Sequence, residues 1–133
     1  MKKQRTLTTV IITILIIIIA YFAYTRYVKP IYMDNSKQSL EIILGTEQII
    51  TLDKLDNQKD IYSIEIEITG NATGNLTVFI SDNDSIPEKE ISLKKGTIDH
   101  LYISDWYSDK CYLSISGGTF GKLKVEYRFL GLN

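Results

Sequence analysis

The sequence predicts an all-β domain behind one apolar helix: a jelly-roll-like antiparallel β-sandwich of seven or eight strands. Three observations lead there. A long uncharged run separates Arg5 from Arg26 and is not repeated later. From position 39 onward apolar residues recur with period two rather than 3.6, which is the half-buried strand pattern. Turn residues punctuate that region at short intervals. Seven or eight strands in about 95 residues, each wetted on one face, make two packed sheets. A small closed barrel is the competing arrangement. About 100 residues bury a workable core without disulfides.

The first element is the helix. From Leu7 to Tyr24 every residue is apolar except Thr8, Thr9 and Thr13. About 20 helical residues cover the roughly 30 Å hydrocarbon core of a bilayer. The three threonines are tolerable because a Thr hydroxyl bonds a carbonyl one turn back. Tyr21, Phe22, Tyr24 and Tyr27 form an interfacial belt, followed by Arg26 and Lys29, and Pro30 stops the helix. The expected organisation is a cytoplasmic tail over 1–5, a transmembrane helix over 6–28, a linker over 29–38 and an ectodomain over 39–133. A cleaved signal peptide fits less well, since the pairs Tyr21/Ala23 and Ala23/Thr25 each put one poor residue at the cut. The start also looks faintly like a type IV pilin leader, but it lacks the Gly before the cut and the Glu after it.

Charge divides the chain the same way. Lys2, Lys3, Arg5, Arg26 and Lys29 make the segment 1–29 purely basic, while all 16 acidic groups lie beyond it. Positive flanks stay in the cytoplasm, so the N-terminus is expected inside the inner membrane and the acidic domain outside. The lipid bilayer is then a partner through the helix. An acidic ectodomain with no Lys/Arg stripe excludes nucleic acid.

The strands follow in order. Weaker patterns at 39–44 and 47–52 precede the clearest one, I-Y-S-I-E-I-E-I-T from Ile61 to Thr69, where Ile64, Ile66 and Ile68 oppose Glu65 and Glu67. Leu76, Val78 and Ile80 repeat it. Weaker strands are expected at 89–93 and 98–103. Cys111, Leu113 and Ile115 resume the alternation, and Leu123, Val125, Tyr127 and Phe129 close it against Lys122, Lys124, Glu126 and Arg128.

The stretch D-W-Y-S-D-K-C-Y-L-S-I-S-G-G-T-F-G-K-L-K-V-E-Y-R-F spans 105–129. Its D-W-Y-S, the following Cys and the closing G-x-L-x-V-x-Y-x-F resemble the C-terminal part of small bacterial secreted or membrane-anchored β-proteins. The closing strand is loosely similar to pre-peptidase C-terminal-type sandwiches. The resemblance is close over 105–129 and implies a β-sandwich in a bacterial envelope. It brings no catalytic residues.

Two segments carry candidate site residues. Asp105, Trp106 and Tyr107 combine aromatic rings with a carboxylate, as a sugar-binding surface needs. The competing role for Trp106 is to plug the open end of the sandwich while Asp105 caps a turn, and the worth of a large aromatic in a small core favours it. Asp82, Asn83 and Asp84, with Ser81 and Ser85, offer oxygen ligands for a calcium ion. The spacing is not that of an EF-hand, and Asp and Asn are also ordinary turn residues. Asp53, Asp56 and Asp60 form a second acidic loop, read as a solvated turn.

Catalytic patterns are weak. His100 adjoins Asp99, but neighbours on a strand point to opposite faces. No G-x-S-x-G elbow exists. One His and one Cys do not make a zinc site. Cys111 lies on the apolar phase of its strand and is expected buried. Asn71 and Asn75 match the N-glycosylation pattern by chance in a bacterial setting. The expectation is therefore a non-enzymatic envelope module that binds a protein or a glycan. The alternatives are a calcium-assisted carbohydrate-binding module and a membrane-anchored immunity-type protein.

Overall fold

The computed structural model describes residues 2–28, 36–83 and 87–132. Lys29, Pro30, Asp84 and Ser85 lie outside the described residues, as does the tether over 31–35. The chain divides into two units, residues 1–34 and 35–133.

The first unit is a helix, α1 (Lys2–Ala23), continued by a π-helical turn over Tyr24–Val28. The stretch Lys3–Val28 has a mean hydropathy of 2.5 at its most apolar. At roughly 1.5 Å of rise per residue it is long enough to cross a bilayer, and an export signal has the same character. The threonines behave as expected. Thr8 Oγ1 donates to the Gln4 carbonyl, Thr9 to Arg5 and Thr13 to Thr9, each at 2.9 Å. Their hydroxyls are thereby satisfied without water.

The second unit is a β-sandwich of eight strands. They are β1 (Gln38–Leu44), β2 (Gln48–Asp53), β3 (Asp60–Ala72), β4 (Leu76–Ser81), β5 (Lys89–Leu93), β6 (Gly96–Asp105), β7 (Lys110–Gly117) and β8 (Gly121–Leu132). One sheet has the order β1-β8-β3-β6 and the other β2-β7-β4-β5, with every pairing antiparallel. β1 pairs with β8, β2 with β7, β3 with β6 and β4 with β5. The chain is thus one long hairpin folded over on itself, and the two sheets form because successive strand pairs of that hairpin alternate between them. This nesting is the jelly roll.

The period-two residues meet between the sheets. Ile64, Ile66 and Ile68 of β3 pack with Val125 and Phe129 of β8, and the facing sheet brings Val78, Ile80, Cys111, Leu113 and Ile115. All are buried, and each large aliphatic contributes about 1.5–3 kcal/mol by leaving water. One departure from strict alternation is informative. Ile61 and Ile64 are both buried although an odd step separates them. A β-bulge between Ile61 and Ser63 absorbs the extra residue and turns Tyr62 outward.

Outside the core, Arg128 holds Glu65 with Nε and Nη2 at 2.8 and 2.7 Å from Oε2. Lys37 adds contacts of 3.9 and 3.5 Å to Glu65 and Glu67. The acidic row that β3 shows to solvent is therefore neutralised by its neighbours.

Candidate functional site

The two candidate segments, 82–84 and 105–107, lie far apart in sequence, yet Asp82 and Asp105 converge at one end of the sandwich. Backbone bonds gather the connections there. Lys54 N donates to the Asp109 carbonyl at 3.1 Å, and Trp106 N donates to the Tyr62 carbonyl at 3.2 Å. The turns at the opposite end are joined just as closely: Gly74 N donates to Gly118 O at 3.2 Å and Lys95 N to Asn75 Oδ1 at 2.9 Å.

A recess of about 170 Å³ opens between the β4–β5 and β6–β7 connections, lined by Asp82, Glu88, Asp105, Trp106, Tyr107 and Ser108. Its aromatic residues have separate tasks. Trp106 is only 3% exposed, and its Nε1 donates to the Lys110 carbonyl at 3.1 Å. The indole spans the β6–β7 connection from inside and seals the end of the sandwich. Of the two roles open to Trp106, the structure gives it the plug and not the sugar-stacking platform, because the ring is enclosed by core side chains. Tyr107 is 81% exposed and stands over the recess with Asp105, also exposed, beside it. Of the three candidate residues, Asp105 and Tyr107 face solvent and Trp106 positions them.

The acidic side is built by Asp82, Glu88 and Asp105. Partial desolvation, the Asp82 charge and a hydrogen bond to Asp82 raise the Glu88 carboxyl above its ordinary range. Asn83 Nδ2 donates to Asp82 Oδ1 at 2.7 Å, and Asn83 N donates to Ser81 Oγ at 3.2 Å. The Ser81–Asn83 turn is thus held by its own side chains, with the Ser81 hydroxyl closing an ST-turn. Among the described residues no group of three His, Cys, Asp or Glu side chains is placed to hold a metal ion. Asp84, the third candidate calcium ligand, lies outside the described residues.

Two residues at this end of the sandwich carried no sequence signal, and Ser108 stood out only as the last residue of D-W-Y-S. Glu88 sits in a segment without periodicity, so nothing local marked it. Gln58 is 1% exposed, with Nε2 donating to the Phe129 carbonyl at 2.6 Å and Oε1 accepting from Leu55 N at 3.1 Å. It pins the β2–β3 connection to β8. Asp53, Asp56 and Asp60 around it are exposed, and Asp53 faces Lys110 at 3.8 Å.

The residues that nucleophilic chemistry would need are elsewhere. His100 is half-buried on β6 while Asp99 points to the outer face. Cys111 is fully buried, and burial first, then the charges of Glu88 and Asp82, push its thiol up to about 12. A thiol releases a proton near 9 when unfolded. The folded state therefore holds that proton more tightly. Its contribution to stability is complete below about pH 9 and is lost between 9 and about 12. Cys111→Ala is expected to flatten that alkaline fall in unfolding midpoint. Native protein should also resist maleimide until it is unfolded.

No protein-family model matches the chain, and no curated protein matches it. Solved structures match at low identity. A protein from Bacillus endospore appendages, described as a family of disulfide-linked pili, is 12% identical over 74% of this chain and 88% of its own, with a TM-score of 0.47. The Yersinia pseudotuberculosis-derived mitogen is 10% identical over 72% and 86%, TM-score 0.39. A de novo designed double-stranded β-helix is 12% identical over 71% and 97%, TM-score 0.36. At these scores none of them bears on what this chain does.

Proposed function

We propose that the chain is a single-pass, N-inside membrane protein of the bacterial envelope whose β-sandwich binds a partner protein outside the cytoplasm and catalyses nothing. One observation carries the reading. Tyr107 is held out in solvent above a carboxylate-lined recess by a tryptophan that is itself part of the core. An exposed aromatic on a rigid support is the usual anchor of a protein interface, and a recess with Asp82, Glu88 and Asp105 suits a cationic side chain of the partner. The purely basic segment 1–29 supports the orientation.

A glycan is the second reading, favoured by the ring of Tyr107 next to Asp105. Both are tested by placing a photo-crosslinking residue at Tyr107 in the full-length chain, in intact cells. The same residue at Lys94, in the turn at the opposite end, is the control. A protein adduct formed from position 107 and not from 94 is the expected result. An adduct sensitive to glycosidase instead would support the glycan. Identical adducts from both positions, or a C-terminal tag that external protease never reaches, would overturn the proposal.

A further inference from the structure

The four sheet edges of the sandwich are unequal. β1, β2 and β5 are edge strands of seven, six and five residues. β6 is an edge strand of ten, paired with β3 in unbroken register from Ser63↔Asp105 to Ala72↔Gly96. Natural edges are guarded against pairing by shortness, by charged side chains, by Pro or by a bulge. β6 is long and unbulged, and its sequence G-T-I-D-H-L-Y-I-S-D contains no Lys, Arg or Pro, so its only guards are carboxylates, which repel an acidic strand and not a basic one. On its outer face Leu101 and Ile103 are 53% and 59% exposed. Asp99 and Asp105 flank them at period two, both exposed.

Charge decides what fits this edge. Glu65 and Glu67, one strand in, are already paired with Lys37 and Arg128. Among the described residues no cation is paired with Asp99 or Asp105. A second copy is a poor match. Outer faces align only when odd-numbered residues oppose one another. Every such register within β6 sets Asp99 against an acid, an apolar side chain or Thr97, and never against a base. We infer that β6 accepts an added antiparallel strand from a different protein. That strand would carry apolar residues opposite Leu101 and Ile103, and Lys or Arg opposite Asp99 and Asp105. Main-chain bonds to the free edge supply affinity, and alternate side chains supply selectivity. The inference rests on the interaction reading above and names the chemistry of the partner at a neighbouring surface.

The test uses the full chain in lipid nanodiscs and a cyclic hairpin peptide whose outward strand reads K-T-V-T-V-T-K. Binding is followed by fluorescence anisotropy, and its place by amide hydrogen exchange. Slowed exchange confined to β6 is expected. A peptide with Glu in place of both Lys should bind about fivefold more weakly or worse. Asp99→Lys leaves one attractive and one repulsive pair for either peptide, so it should abolish that preference while leaving Tyr107 and its recess untouched. Equal binding of the two peptides to the parent chain, protection on another strand, or no binding would overturn the inference. So would concentration-dependent protection of β6 without peptide, which would make a second copy the occupant. The position-107 crosslink does not depend on β6, so failure here is distinguishable from failure of the general reading.

Discussion

Trp106→Ala is expected to lower the stability of the sandwich by about 3–5 kcal/mol, the range for removing a large buried aromatic. The ring is 3% exposed and closes one end of the core. Its Nε1 also satisfies the Lys110 carbonyl at 3.1 Å, so truncation leaves both a cavity and an acceptor short of its donor. A domain of this size has about 5–15 kcal/mol in total, and each kcal/mol moves the melting temperature by roughly 4–8 °C. The expected fall is therefore roughly 10 °C or more. It is to be read by far-UV circular dichroism on the full chain in detergent, because the substitution removes the only Trp fluorophore. Trp106→Phe should keep most of the packing and lose mainly the hydrogen bond, an effect of about 1–3 kcal/mol. If Trp106→Ala melts with the parent protein, the indole is not a core residue. The positioning role given to it at the recess would then fall as well.

The second large effect is expected where β3 runs beside β8. Gly70 has φ +140°, and a Cβ there would stand 2.1 Å from the Lys122 carbonyl oxygen. The neighbour is backbone within the long β3–β8 pairing, so it cannot rotate away. Gly70→Ala combines a dihedral cost of about 1–3 kcal/mol with an overpacking cost of similar size. Gly96 supplies the control. It has φ +108°, but a Cβ placed on it would meet nothing within 4 Å, so Gly96→Ala carries the dihedral cost alone. In urea titrations Gly70→Ala should shift the midpoint markedly further than Gly96→Ala. Equal shifts would mean that the close approach of the two strands contributes nothing to the fold.

The elements themselves were legible because each rests on local information. Ile64, Ile66 and Ile68 announce a strand through spacing alone, and the buried face is the one their spacing names. The irregularity at Ile61/Ser63 leaves a trace as well, since I-Y-S-I breaks the alternation that I-E-I-E-I then resumes. The candidate site was legible only in halves. Asp82 and Asp105 stood out separately as acids in turns. Glu88, which faces Asp82, carried no signal, because its position depends on how the β4–β5 connection returns to the sheet.

What the amino-acid order determined by itself is the apolar helix, the run of strands and the face that the clearest of them bury. These follow from the residue-to-residue geometry of helix and strand, which reaches only a few positions along the chain. Only the tertiary structure decided which strands pair, and so which edges stay open. It placed Trp106 in the core, the role its size favoured, and left its neighbour Tyr107 in solvent, which no local spacing assigned. It also set Asp82 and Asp105 around one recess and placed β6 at the edge of its sheet. Those outcomes depend on how distant segments fill the same space. That is settled by packing across two sheets, and no short-range pattern encodes it.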